Sequence, residues 1–291
     1  MVNPFQMPGR WYKANLHTHT TSSDGKAAPL QRVEQYRKEG YDVLALTDHR
    51  TTNDITGMSD RKMLVISGIE YHPLCPTTPG RYHLVGLNVP HGFKFADAAD
   101  AIRCIAEVRA AGGASILAHP SWCGQGYEDF RELKGVIAVE VYNATCDRHG
   151  RPSSASEWAI ALDRGWRLPA VGTDDAHMAA SDDVFECWTW LKMPALGVAN
   201  VLKVVAAGAC YSTCGPKIHD FRVADGKVTV RSSRAVAIHL SGAAGQGKRR
   251  RAPDGKTITS FSLDMPKWPY VRAMVTDQQH RMAWSNPIFL R

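Results

Sequence analysis

From Tyr12 to Ser212 the chain alternates short apolar runs with longer stretches of helical length. The runs Tyr12–His19, Tyr41–Thr47, Met63–Glu70, Tyr82–Val89, Ala114–Ala118, Val136–Tyr142, Leu168–Thr173 and Ala209–Ser212 read as strands. Pro29–Glu39, Phe95–Ala111, Ser153–Arg164 and Pro194–Ala207 read as helices. Pro29 fits the first turn of its helix and Gly40 fits the stop. This strand-then-helix rhythm predicts a mainly parallel sheet with helices packed outside, and about seven or eight such units close into a barrel.

After Cys214-Gly215-Pro216 the pattern changes. Phe221–Ala224, Lys227–Arg231, Ala235–Leu240, Thr257–Leu263, Tyr270–Thr276 and Arg281–Trp284 read as strands, with turn residues at 225–226, 254–255 and 277–280. No helical period survives there. Residues 1–215 are therefore expected to form the α/β domain, and 216–291 a small antiparallel β-domain of sandwich type. Its expected core includes Val230, Ile238, Phe261 and Val275.

Composition narrows the class. The 291 residues are 44% hydrophobic and 22% charged, as in a soluble globular protein. No apolar run reaches the ~18 residues a membrane span needs, so no membrane partner is expected. The opening MVNPFQMPGRWYK lacks the apolar stretch of a secretory signal. Seven scattered cysteines contain no Cys-x-x-Cys pair, which speaks against a zinc ribbon or dithiol site and favours a reducing cytoplasm. The net charge of +7 is mostly dispersed and suits an enzyme that attracts anionic substrates. Its one dense run, Lys248-Arg249-Arg250-Arg251, is expected in a solvated loop. Just before it, Gly242-Ala-Ala-Gly-Gln-Gly247-Lys248 spells most of a phosphate-binding loop. Arg249 stands where the magnesium-binding hydroxyl belongs, so a hairpin loop is the better reading.

The polar residues carry the chemistry. His17 and His19 are two apart on a strand, so their side chains project together. Asp24 follows in a small polar loop. Thr47-Asp48-His49 ends the second strand, Gly68-Ile69-Glu70 the third, Ala118-His119-Pro120 a later one, and Thr173-Asp174-Asp175-Ala176-His177 the last of the set. His83 lies early in its own run. Any one histidine is easily explained as a hydrogen-bonded residue at a strand end, but that does not explain why most strand ends carry one. The C-terminal ends of parallel barrel strands meet at one face, where imidazoles and carboxylates together suit first-row transition metals.

These motifs, in order and in approximate spacing over residues 12–180, resemble those of the PHP superfamily, the polymerase-and-histidinol-phosphatase metallohydrolases. The matched elements are His17-x-His19, the Ser-Asp24-Gly loop, Thr47-Asp48-His49, Gly-x-Glu70, His83, Ala-His119-Pro and Asp175-x-His177. The resemblance implies a distorted (β/α)7, TIM-like barrel holding two or three divalent metals at its strand ends. It places His17, His19, Glu70 and Asp175 on one metal, with Glu70 bridging to a second held by His83 and His119. Asp24, His49 and His177 fall on a third. Asp174 and Asp175 are adjacent, and Asp175 is preferred because it keeps the Asp-x-His spacing. Asp24 stands where some relatives have histidine. Glu140-Val-Tyr-Asn143 is also similar to the family pattern, as a support or substrate contact. Tyr270-Val-Arg and Ala283-Trp-Ser-Asn-Pro-Ile resemble the β-rich tail of a subgroup that includes carbamate-ester hydrolases.

The expected activity is that of a metal-dependent hydrolase, with manganese, iron or zinc lowering the pKa of a bound water and clamping phosphoryl oxygens. A phosphoesterase acting on small phosphate esters or nucleotides leads. A carboxylic or carbamate ester hydrolase using the same site is the alternative, and a nucleic-acid processing module ranks last. Asp48 and Asp174 are expected to orient a ligand or a water. Arg50, Arg148, His149 and Asn143 are the candidate substrate contacts. The partner is expected to be a small, anionic ester rather than nucleic acid, and an oligomer is compatible with the sequence.

Overall fold

The computed structural model describes residues 1–290. The alternating region forms β1 (Arg10–Asn15), α1 (Pro29–Lys38), β2 (Val43–Leu46), β3 (Leu64–Tyr71), β4 (Leu84–Leu87), α2 (Ala101–Ala110) and β5 (Ala114–Leu117). It continues with α3 (Tyr127–Phe130), β6 (Val136–Asn143), α4 (Ala155–Asp163), β7 (Ala170–Thr173), β8 (Trp188–Met193), α5 (Val198–Ala207) and β9 (Cys210–Thr213). α1 opens on Pro29, and Gly40 (φ +72°) turns the chain away after it. α2 is shorter than its sequence period predicts. Asp100 accepts from the Arg103 N–H at 3.1 Å and so caps the helix at Ala101, which leaves 95–99 as loop.

β1–β2, β2–β3, β5–β6 and β6–β7 pair in parallel. β4 departs from the predicted direction and runs antiparallel to both β3 and β5. The connection 72–83 carries no helix, so the chain lacks the crossover that a parallel return requires. The segments that follow β1 and β7 meet. Thr18 bridges Ala176 in parallel, the His19 N–H donates to the Ala176 carbonyl, and the Asp175 N–H donates to the His17 carbonyl, both at 2.9 Å. Behind this seam β7 packs closely on β8 and β9. A Cβ at Gly172 would lie 2.7 Å from Cys187 Sγ and 3.0 Å from Ser212 Cβ.

Both faces of the parallel strands are buried, which is why they read as continuous apolar runs. Val43, Ala45, Ile66, Val85, Ile116 and Ala138 enter one core cluster. Leu84, Leu117 and Val139 meet α2 and α4 in another, around the fully buried Trp158. No helix among the described residues is long and apolar enough to cross a membrane.

The remaining strands are β10 (Ile218–Ala224), β11 (Lys227–Ala235), β12 (Ala237–Ser241), β13 (Gly247–Arg251), β14 (Ile258–Asp264), β15 (Tyr270–Thr276), β16 (Met282–Ser285) and β17 (Ile288–Phe289). All their pairings are antiparallel. β10, β11 and β14 form a separate sheet, while β16 pairs with β9, so that β13-β12-β15-β16 extends the large sheet. Val230, Ile238 and Val275 are buried between these layers, with Phe261 partly buried against them. The basic run Lys248–Arg251 is an exposed edge strand, β13, and not the loop its charge suggests. Pairing with β12 supplies its backbone hydrogen bonds, and charged side chains on an exposed edge discourage further strand addition.

Candidate metal centre

The strand ends position the cluster. His17 and His19 lie on the extension of β1 that the Thr18–Ala176 bridge holds straight, so both imidazoles face inward. His49 follows β2 and pairs by a bridge with Glu70 on β3. His83 precedes β4. Because β4 runs antiparallel, the beginning of that strand lies at the face where the others end, and His83 reaches the cluster despite its early place in the run. His119 follows β5, and Asp175 and His177 follow β7.

Glu70 is the hub and is almost fully buried. Its Oε2 lies 2.7 Å from His49 Nδ1, 3.4 Å from His19 Nε2 and 3.5 Å from His17 Nε2. Its Oε1 lies 2.7 Å from His83 Nδ1, 3.5 Å from His119 Nε2 and 3.6 Å from His72 Nε2. Asp175 Oδ1 is 2.9 Å from His19 Nε2 and 3.1 Å from His17 Nε2, and its Oδ2 is 3.7 Å from His119 Nε2. Asp24, the exposed member, reaches His49 at 3.4 Å and His177 at 3.5 Å. All nine expected ligands thus converge, and Asp175 rather than Asp174 is the aspartate that faces them. Glu70 Oε2 and Asp175 Oδ1 are buried without a hydrogen-bond partner. Such orphaned carboxylate oxygens, ringed by imidazole nitrogens, are what a divalent cation would satisfy. The residues therefore fit the metals that the motifs imply.

The charges are uneven. Burial works to raise the Glu70 carboxyl, but His83 and His17 hold it well below the usual carboxylate range. Hydrogen bonds from His177 and His49 hold Asp24 well below it too. Burial lowers His49, yet Asp24 and Glu70 outweigh it and raise the imidazole to about 10. At His83 burial wins over Glu70, and the imidazole falls to about 4.

A second layer orients the ligands. His17 Nδ1 lies 2.8 Å from Glu140 Oε1, so a proton held there leaves the Nε2 lone pair facing Asp175 and Glu70. Glu140 also accepts from Thr173 Oγ1 (2.8 Å), the His119 N–H (3.0 Å) and Asn143 Nδ2 (2.9 Å). Asn143 donates to Asp175 Oδ2 at 3.1 Å and is fully buried, so it braces two carboxylates.

Asp48 and Asp174 are both tied into neighbouring loops. Asp48 accepts from Thr20, Ser23 and Asn53 and ties down the loop after β1, away from the cavity. Asp174 accepts from Tyr36 Oη and the N–H groups of Phe185, Glu186 and Cys187. Burial raises its carboxyl to about 7, against those donors. Both acids accept loop N–H groups that need partners, Asp48 from Thr20 and Ser23 beside side-chain donors and Asp174 from 185–187.

A cavity of about 540 Å³ opens over the cluster, and Arg148, His149 and Lys26 line its rim with Trp122. Arg50 lines a neighbouring cavity instead. His72 was not anticipated. Its signal was the spacing Glu70-x-His72, the same i, i+2 relation as His17-x-His19, and its Nε2 lies 3.1 Å from His49 Nδ1.

No family model matches the chain. A two-domain protein from Bacteroides vulgatus, containing a predicted PHP-like metal-dependent phosphoesterase, superposes over 98% of both chains with a TM-score of 0.57 at 16% identity. A 5′-3′ exoribonuclease from Haemophilus influenzae is 36% identical over 84 residues, which is 26% of this chain and 28% of that protein. A phosphoribosyl 1,2-cyclic phosphate 1,2-diphosphodiesterase from Eggerthella lenta is 34% identical over 82 residues, 27% of this chain and 31% of that protein. The matches thus span less than a third of either curated relative.

Proposed function

We propose that this chain, a member of the PHP superfamily by its ordered motifs and its fold, is a metal-dependent phosphoesterase that hydrolyses small phosphate esters or nucleotides. The observation that carries the reading is the convergence of three carboxylates and six imidazoles, two of the carboxylates holding buried oxygens without donors. His17, His19, Glu70 and Asp175 would hold one divalent ion, Glu70 with His83 and His119 a second, and Asp24, His49 and His177 a third. Such ions, when bound, lower the pKa of water and neutralise charge on phosphoryl oxygens. Manganese, iron and zinc all suit this donor set.

The chain's own residues do the rest. Glu140 fixes the His17 ring, Asn143 fixes Glu140 and Asp175, and Arg148 at the rim offers a cation to a phosphate. His149, beside Trp122 at 5.9 Å between ring centroids, is placed to give a proton to a departing oxygen. In the same reading, β1–β7 form the distorted (β/α)7 barrel of residues 1–215, closed by the Thr18–Ala176 bridge. Residues 216–291 form its β-domain.

The test is to quantify metals in the purified protein and assay it with manganese, iron or zinc. The panel comprises aryl phosphate mono- and diesters, a 5′-phosphorylated oligoribonucleotide, an aryl carbamate and an aryl acetate. Turnover of an aryl phosphate, abolished by chelation, supports the proposal. Activity confined to the carbamate or acetate moves the site to carbonyl chemistry, and activity confined to the oligonucleotide makes the chain a nuclease.

A further inference from the structure

Beside the metal centre lies a second cavity of about 570 Å³. A smaller space, lined by His49, Arg50, His72, Arg81 and His83, joins the two. The second cavity presents three cations, Arg50, Arg81 and Lys94, against one carboxylate, Asp97. None of the three makes an ion pair among the described residues, and the Asp97 side chain already accepts from the Ala99 N–H at 2.9 Å. Arg81 donates from Nη1 to the His72 carbonyl at 2.9 Å, which holds its guanidinium at the junction. Arg50 has a left-handed backbone (φ 57°) pinned by its N–H to the Glu70 carbonyl at 2.8 Å. Strained geometry of that kind persists only where the surroundings impose it.

Much of the rest of the lining is aromatic, from Tyr71, His72, Phe93 and Phe95. Phe95 packs against Tyr71 at 4.7 Å and against Phe93 at 5.0 Å between centroids. His72, between the two cavities, has a side chain only 7% exposed, and its Nδ1 has no hydrogen-bond partner. A buried, unpartnered ring nitrogen beside guanidinium groups that make no ion pair is an incomplete polar site.

We propose that this cavity is a second substrate subsite, which binds an anionic group carried on an apolar or aromatic scaffold whose ester lies at the metal centre. The proposal rests on the phosphoesterase reading of that centre and narrows it to esters bearing two anionic groups. Arg50, Arg81 and Lys94 take the second anion, and Phe93 and Phe95 take the scaffold.

The experiment compares phenyl phosphate with 4-(2-phosphonoethyl)phenyl phosphate, whose second anion cannot be hydrolysed, on the metal-loaded protein and on the Arg81→Ala/Lys94→Ala variant. Calorimetric titration with 2-phenylethylphosphonate gives binding independently of turnover. KM for the armed ester should be at least tenfold below that for phenyl phosphate, and the variant should lose this advantage while keeping phenyl phosphate kcat/KM within twofold. Phosphonate binding should weaken at least tenfold in the variant. Equal treatment of the two esters by the unmodified protein, or an equal loss for both in the variant, overturns the subsite. If phenyl phosphate is not cleaved with any metal, the phosphoesterase reading falls. Phosphonate binding then decides the subsite alone: a tenfold loss in the variant upholds it and unchanged binding removes it. Lys94→Glu, a single change at an exposed position, replaces the double variant if that fails to fold.

Discussion

Glu140→Gln tests the logic of the centre without touching any residue that faces the metals. The Glu140 carboxylate is buried and receives four donors: His17 Nδ1 at 2.8 Å, Thr173 Oγ1 at 2.8 Å, the His119 N–H at 3.0 Å and Asn143 Nδ2 at 2.9 Å. Burial works to raise its carboxyl, but His17 beside it holds it below the usual carboxylate range, so it is ionised. A glutamine of the same shape keeps one accepting oxygen and turns an amide NH2 toward the other two donors. Each hydrogen bond to a charged group is worth about 1.5–3 kcal/mol, so losing two costs about 3–6 kcal/mol of stability. If the lost pair includes the His17 Nδ1–H, the ring is free to take the other tautomer, which points a proton at the metal position. Removing such a support lowers metal affinity by about 10–100-fold. Chelator-competition titration would measure the affinity and denaturant unfolding the stability. A folded Glu140→Gln protein with metal affinity within twofold of the parent and unchanged unfolding would refute the reasoning.

Replacing His17 and His19 together with alanine should remove bound metal and activity while the chain stays soluble. Full metal content by elemental analysis would sink the ligand assignment. Without metal, His49 is raised to about 10 from an ordinary 6.5, so its stabilisation is fully present below pH 6.5 and is lost as pH rises through 10. The chelated protein should therefore lose thermal stability between about pH 7 and 10 from this residue. Metal uptake at pH 8 should expel its proton, which calorimetry in buffers of different ionisation enthalpy would count. Gly172→Ala forces a Cβ to within 2.7 Å of Cys187 Sγ and should cost about 1–3 kcal/mol in denaturant unfolding. Trp158→Ala, at a fully buried ring whose Nε1 donates to the Leu168 carbonyl, should cost about 3–5 kcal/mol by the same measurement.

Much of the candidate site was legible because strand geometry is local. An i, i+2 spacing places His17 with His19 on a shared face wherever the strand lies, and parallel strands gather their ends without further information. Asp175 instead reaches the cluster through a left-handed backbone (φ 55°) beyond β7. What escaped were facts of partnership. Asp48 and Asp174 have the residue type and position of catalytic acids, yet loop N–H groups claim them. Arg50 follows a strand end but faces the neighbouring cavity.

Local period and spacing thus determined most of the succession of elements, though not β8, α3 or β13, together with the antiparallel character after residue 216 and most of the residues able to meet a metal. Tertiary structure decided the reversal of β4 that brings His83 to the site, the junction of β9 with β16 that extends one sheet through both regions, and the balance of burial against neighbouring carboxylates that splits His49 from His83 in proton affinity. The division is physical. Side-chain direction repeats every two residues along a strand, whereas strand order, desolvation and the choice of hydrogen-bond partner depend on segments far apart in the chain.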